Sequence, residues 1–248
     1  MAVFDLLPRR NKTGPQVRQE SICQKQKLLG DCHGWPVNKP MFGSVLTPET
    51  IKAIKSLSSW PPFKDYYLAG GTAVAIQLGH RISHDLDFFT AKKFSHQTLA
   101  QSLRKIGPFV VDFTDANTLV GRLNNVKTGF FHYLYPLLKP TLSFHGVAIA
   151  SLEDLACSKV DAISSRGNKR DFADLYFIMK ALRIELKDVL ALFEKRYGRE
   201  QFNLMHIQKS LVFFEDADQD PDLRMLVEFS WEDCKTFFVR QTKEFTAE

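Results

Sequence analysis

The sequence predicts an α+β fold, a mixed sheet with flanking helices followed by a C-terminal helical region, on three observations. Short strand-like apolar runs alternate with helical segments between Thr47 and Ala150. From Ser151 onward the apolar spacing becomes helical and stays so. No internal repeat interrupts this order, and a mixed stretch followed by helices is the mark of an α+β chain. The composition, 44% hydrophobic and 25% charged over 248 residues, is ordinary for a globular protein and sufficient for one core or two small ones.

Three parts are expected: a disordered extension over residues 1–40, an α/β core over 41–150, and a helical region over 151–248 that completes a site. The extension mixes Gly, Pro, Gln and Lys without periodicity, and Met41 reads as a natural start. Seven basic residues against three acidic ones place +4 of the net charge of +5 before Met41, so the remainder is nearly neutral. The basic balance is therefore no argument for nucleic-acid binding by the folded part. Arg9, Arg10 and Lys12 lead into polar residues, unlike a signal peptide, and no apolar run approaches the ~20 residues of a membrane helix. A cytoplasmic protein without a membrane partner is expected. Cys23, Cys32, Cys157 and Cys234 form no C-x-x-C pair and are read as reduced thiols.

The elements follow in order. Thr47-Pro48-Glu49 opens a helix: Thr caps, Pro suits the first turn and Glu complements the dipole. Ile51, Ile54 and Leu57 continue it until Pro61-Pro62. Tyr66–Ala69 reads as a strand, Gly70-Gly71-Thr72 as a turn, and Ala73–Leu78 as a helix. Leu86–Thr90 is the next strand and Ser95–Ile106 the next helix. Phe109–Phe113, Thr118–Leu123 and Val126–Tyr135 are strand-like, with Asn124-Asn125 a hairpin turn, and Val147–Ala150 is a last short strand. Ser151 with Asp154 three residues on resembles a capping box. From about Glu185, helices carry the aromatic-rich face Leu190, Phe193, Tyr197, Leu211, Phe213 and Phe214, read as core packing rather than base stacking. Asp216–Asp222 is expected to be an acidic loop without calcium-loop spacing, and Phe229, Trp231, Phe237 and Phe238 to dock the tail.

Two constellations carry chemistry. Gly70 and Gly71, between strand and helix, let backbone approach a ligand, and the helix N-terminus offers N–H groups to a phosphate, with the Thr72 hydroxyl nearby. A tight turn is the alternative reading. In Asp85-Leu86-Asp87 the strand alternation puts both carboxylates on one face. Their repulsion is relieved by water or by a cation such as Mg²⁺, which takes one or two carboxylates plus substrate phosphates. The alternative is a solvated strand edge. Just before them, Arg81 is suited to balance phosphate charge and Ser83 to orient the turn, with His84 beside them.

The second constellation is helical. Leu152, Leu155, Ala156, Lys159 and Ile163 fall on one face, so Lys159 sits inside an apolar stripe and must snorkel, pair with an acid or serve chemistry. On the following helix Asp171 and Asp174 open the apolar face Leu175, Ile178, Leu182. Arg166, Lys169 and Arg170 lie in the turn between. A buried ion pair explains this arrangement as well as catalysis does. Beside the first constellation it points to nucleoside-triphosphate chemistry, with cations on phosphates and carboxylates on metal or on a nucleophile's proton. A metal phosphohydrolase, hinted at by His84-Asp85, lacks a second matching His motif.

These residues together resemble the AbiEii/AbiGii toxin family of nucleotidyltransferases. The likeness is carried by Leu68–Ala73, by His80–Phe89, by Ser151–Ala156 with Lys159, and by Arg166–Tyr176, in order and across roughly residues 48–197. It implies a polymerase-β-like nucleotidyltransferase core with a C-terminal helical region. It implies Mg²⁺, or Mn²⁺ in its place, at Asp85 and Asp87. It implies nucleotide contact by Gly70, Gly71 and Thr72, to which the reading of the two constellations adds Arg81, Ser83, Arg166 and Arg170, and it makes Lys159 and Asp171, with Asp174 as second choice, catalytic beside the two metal-site acids. It implies an NTP substrate, an RNA or protein acceptor and a cognate antitoxin. One departure stands out. The two-metal form of the fold draws a third carboxylate from a neighbouring strand. The stretch Val126–Tyr135 has no acid, and His132 is its sole metal-capable side chain. Asp112 or Asp115 is the expected substitute; without one, a nucleotide- or partner-binding module without turnover is the alternative.

Overall fold

The computed structural model describes residues 41–246. The expected disorder of residues 1–40 lies outside the described residues.

The first helix, α1 (Pro48–Ser58), starts as its sequence dictates, with the Thr50 N–H donating to Thr47 Oγ1 at 3.2 Å. The chain continues through β1 (Tyr67–Ala69), α2 (Gly70–Leu78), β2 (Leu86–Thr90) and α3 (His96–Ile106), the last capped by Ser95. Helix α2 begins at Gly70 rather than Ala73, so the glycines belong to its first turn. Then come β3 (Phe109–Asp115), β4 (Thr118–Leu123), β5 (Val126–His132), β6 (Leu142–Phe144) and β7 (Val147–Ile149). Asn124 (φ 51°) and Asn125 (φ 66°) make the turn the hairpin needs, since left-handed residues match the strand twist. Strand β5 stops at His132, short of Tyr135, and β3 runs two residues further than its pattern implies. Strand β6 was not foreseen. It has three residues, too few for an alternation, and it joins β7 through His145 (φ 49°) and Gly146 (φ 81°).

The seven strands form one mixed sheet in the order β3-β4-β5-β2-β1-β7-β6. Strand β2 lies at its centre, antiparallel to β1 and parallel to β5. One face is closed: Leu86 and Phe88 are fully buried, and Phe88 packs on Phe63 and Phe130 at centroid distances of 4.7 and 5.7 Å. Asp87 and Phe89 point to the other face.

The helical region comprises α4 (Leu152–Arg166), α5 (Lys169–Leu182), α6 (Leu186–Tyr197), α7 (Leu204–Ser210), α8 (Glu215–Gln219) and α9 (Trp231–Thr246). Ser151 caps α4 by accepting the Asp154 N–H (3.1 Å) and donating to the Asp154 carboxylate (2.8 Å). Helices α4 and α5 pack on each other and on α2. Phe172 of α5 centres an aromatic cluster with Phe214, Trp231 and Phe238, at 5.2, 5.8 and 5.4 Å. The aromatic face is thus core, except Phe213, which is 48% exposed. The expected acidic loop also differs. Glu215–Gln219 is helical, and two of its acids are engaged within the fold: Asp218 accepts the Trp231 indole N–H and Asp220 the Lys169 N–H. No helix among the described residues is long and apolar enough to cross a membrane.

Candidate active site

The open face of β2 forms the floor of a cleft, walled by α2 and by the facing ends of α4 and α5. Gly70, Gly71, Thr72, Arg81, Ser83, Asp85, Asp87, Lys159, Arg166 and Arg170 all line it, so residues from both constellations meet there. Asp171 and Asp174 stand behind this lining, fully buried.

Asp87 occupies the floor. Its neighbours across the sheet are Ala69 in β1 and Gly129 in β5. A side chain at Gly70, whose φ is +66°, would place its Cβ 2.7 Å from Asp87 Oδ2, and one at Gly129 would lie 3.2 Å from Oδ1. Two glycines therefore leave the room this carboxylate fills. A Cβ at Gly71 would collide with the Arg81 guanidinium. The space opened by the Gly-Gly pair is thus taken by two other groups of the cleft. Burial, and next the charge of Asp85, push the Asp87 carboxyl above the usual carboxylate range. Asp85 is more exposed, 41% at the side chain, and its Oδ2 lies 3.8 Å from Lys127 Nζ. Among the described residues no hydrogen-bond donor reaches Asp87, although other carboxylates nearby have two or three.

Thr72, 1% exposed, turns its hydroxyl to Ser83 Oγ (2.7 Å) and to the Asp85 carbonyl. Both hydroxyls thereby tie the start of α2 to the approach to β2. That approach is held from the other side as well: Ile82 N–H donates to the Arg224 carbonyl and Leu226 N–H to that of His80. This tie between residues 80–82 and 224–226 carries no local sequence signal.

The helical wall is an ion-pair network. Arg81 grips Asp174 through two parallel bonds, Nε at 2.7 Å and Nη2 at 2.8 Å. His80 Nε2 donates to the same carboxylate at 2.8 Å. Lys159 Nζ bridges Asp171 (2.7 Å) and Asp174 (2.6 Å), and Arg166 donates twice to Asp171, at 2.9 and 3.2 Å. Burial alone would raise both carboxyls. The charges of Arg81 and Lys159 overcome it at Asp174, which stays well below its ordinary value, and Lys159 and Arg166 overcome it at Asp171. Burial lowers His80, so the imidazole is neutral at neutral pH. Lys159 thus resolves its place in an apolar stripe by pairing with acids.

Other expected residues lie elsewhere. Lys169 turns away, its Nζ donating to the Asp220 carbonyl at 2.8 Å. His84 is exposed and outside the cleft lining. Asp112 pairs with Arg122 at 3.4 Å, and Asp115 accepts the Ala116 N–H at 2.6 Å. Both acids sit on β3, three strand spacings, roughly 14 Å, from β2, too far to share an ion with Asp85 and Asp87. They are not the expected substitute for a third carboxylate. Among the described residues no group of three or more His, Cys, Asp or Glu is placed to hold a metal ion. His132 faces Asn117, 3.0 Å away. Residues not foreseen from sequence complete the cleft: Lys127, Gly129 and Phe131 of β5, Val120 of β4 and Phe113 of β3. Their alternation is visible in sequence, but only the strand order shows that they flank Asp85 and Asp87.

Known proteins agree with this architecture. The sequence profile described as nucleotidyl transferase AbiEii toxin, Type IV TA system, matches residues 54–137 and 131–242. An uncharacterised protein of Aquifex aeolicus (strain VF5) is 38% identical over 204 residues, covering 81% of this chain and 97% of its own. The solved structure of MenT4, a nucleotidyltransferase toxin from Mycobacterium tuberculosis H37Rv, superposes with a TM-score of 0.52 at 15% identity, covering 80% of this chain and 86% of that one. At that identity the likeness is one of fold. With three quarters of its length matched by the profile, the chain belongs to the AbiEii family of nucleotidyl transferase toxins.

Proposed function

We propose that this protein transfers a nucleoside monophosphate from an NTP to an RNA or protein acceptor, with Mg²⁺ as its ion and Mn²⁺ able to replace it. Its biological setting in this reading is the toxin of a toxin–antitoxin or phage-exclusion system, held in check by a cognate antitoxin. The observation that carries the reading is the Asp87 carboxylate. Among the described residues no donor reaches it on the floor of a cleft whose walls are cationic. A carboxylate so placed, next to a second one on the same strand, suits a divalent cation that also takes phosphate oxygens. Asp85 and Asp87 would hold that ion, which when bound polarises the phosphate under attack.

The chain's own groups supply the rest. The first turn of α2 offers backbone N–H groups to phosphate, and Arg170 and the half-exposed Arg166 stand at the rim to receive it. Lys159 and Arg81 give the wall its positive charge while remaining fixed by Asp171 and Asp174. Asp171 and Asp174 act as positioning residues here, because their oxygens are already occupied by cations.

A second reading, nucleotide or partner binding without turnover, is favoured by the lack of a third acid among the described residues. One assay separates them. Each α-labelled NTP is incubated with Mg²⁺, the protein and total RNA, and pyrophosphate and labelled acceptor are measured beside an Asp85→Ala/Asp87→Ala control. Label in RNA or protein with equal pyrophosphate, lost in the control, supports transfer. NTP binding without pyrophosphate selects the binding module.

A further inference from the structure

Strand β5 is where a third carboxylate would stand, and its cleft-facing positions carry different chemistry. Gly129 is the direct partner of Asp87, and the parallel register sets Lys127 beside Asp85. Thr128 between them is fully buried on the opposite face. A side chain at Gly129 would meet the Phe131 ring at 2.6 Å, so this position accepts none without displacing that ring. Lys127 is 59% exposed at its side chain and reaches to 3.8 Å from Asp85. One cleft-facing position beside the Asp pair is therefore closed and the other is an ammonium.

We infer that the cleft takes a single divalent cation and that Lys127 supplies the second positive charge, on the side of the acceptor. The charges balance. Two divalent ions on three carboxylates leave a formal charge of roughly +1; one ion on two carboxylates beside one ammonium leaves roughly the same. The strand order sets the side. Strand β1, leading into α2 and the cationic wall, flanks β2 on one edge, and β5 with Lys127 flanks it on the other. The triphosphate belongs to the wall, so Lys127 meets the acceptor hydroxyl. Phe131 and the 57%-exposed Phe113 extend that side as an apolar surface. In the transfer, the bond from acceptor oxygen to α-phosphorus forms as the bond to pyrophosphate breaks. Pyrophosphate departs with the electron pair, and the acceptor's proton passes to water at the open mouth of the cleft. Lys127 stabilises the negative charge that gathers on the attacking oxygen.

The inference rests on the proposed nucleotidyl transfer, and its test separates the two. Mn²⁺ bound per chain is counted by electron paramagnetic resonance on the full chain with a non-hydrolysable NTP analogue, taking as cleft ions those lost in Asp87→Asn. Wild type should hold one cleft ion, Lys127→Ala one, and Lys127→Asp two. Single-turnover transfer should slow about 100-fold in Lys127→Ala, with apparent NTP affinity unchanged and partial rescue by Lys127→Arg. Two cleft ions in the wild type, or full-speed transfer by Lys127→Ala, overturn the inference and leave the proposed function standing. No cleft ion in the wild type overturns that function itself. Lys127 is largely exposed, so these variants should fold, and unchanged melting temperatures confirm it.

Discussion

The two sides of the cleft use the same residue types for opposite ends. On the helical wall, Asp171 and Asp174 are fully buried, saturated by Arg81, His80, Lys159 and Arg166, and held below their ordinary range. On the sheet floor, Asp87 meets no donor among the described residues and is pushed above it. The wall is complete in itself, and breaking it leaves buried charge uncompensated. The floor is strained by its own charge, which is the state a bound cation would relieve. The contrast teaches that a carboxylate's place in a motif says less about its role than the number of donors around it.

Substitutions at the two carboxylates should move in opposite directions. The largest expected effect is on activity: Asp87→Asn should reduce nucleotide transfer by about 1000-fold or more, in the range lost when a principal electrostatic group is removed. Pyrophosphate release measures it. In the same variant, chemical denaturation should show a gain on the order of 1 kcal/mol, because a repelled, poorly solvated charge is gone. Asp174→Asn should instead cost about 3–5 kcal/mol, since Arg81 and Lys159 lose their shared counter-charge. If both variants destabilise alike, the two sides do not differ as described.

Acid sharpens the contrast. The Asp174 carboxyl is lowered in the folded state, so its stabilisation is present above the unfolded value of about 4 and is lost as pH falls through the folded one. The stability gap between wild type and Asp174→Asn should therefore be flat near neutrality and shrink on strong acidification. Asp87 is raised, so its proton competes with a cation at higher pH than an ordinary Asp would allow. Mn²⁺ affinity should begin to fall on mild acidification, while folding is still intact. Gly70→Ala joins both sides, since it strains a φ of +66° and presses on Asp87. A loss of about 1–2 kcal/mol, with weakened Mn²⁺ binding, is expected. The smallest effect belongs to the exposed Arg122–Asp112 pair, where Arg122→Ala should change stability by less than about 1 kcal/mol.

Much of the floor was legible in the sequence, because strand alternation alone puts Asp85 and Asp87 on one face and Leu86 and Phe88 on the other. The strand over Leu86–Thr90 and the caps at Thr47 and Ser151 were legible for the same reason, since each depends on neighbours within a few residues. The helical spacing of Lys159 likewise required a partner, and Asp171 and Asp174 offered one by opening the apolar face of the following helix. The full occupancy of Asp174 was not legible. It depends on Arg81 and His80 arriving from some 90 positions away. Lys127 was missed because β5 joins β2 only through the sheet order, a long-range pairing with no local mark. The same gap made Asp112 and Asp115 seem near, when two strands separate them from β2.

The central claim is that the floor carboxylate Asp87, which no donor among the described residues reaches, makes this cleft a metal–nucleotide site. The most direct test is calorimetric titration of each of the four ribonucleoside triphosphates with Mg²⁺ into wild type and into Asp87→Asn. Binding of at least one NTP by the wild type, lost in a variant that unfolds at no lower denaturant concentration, is the expected result. Equal binding by both proteins, or no binding of any NTP by the wild type, would contradict the account.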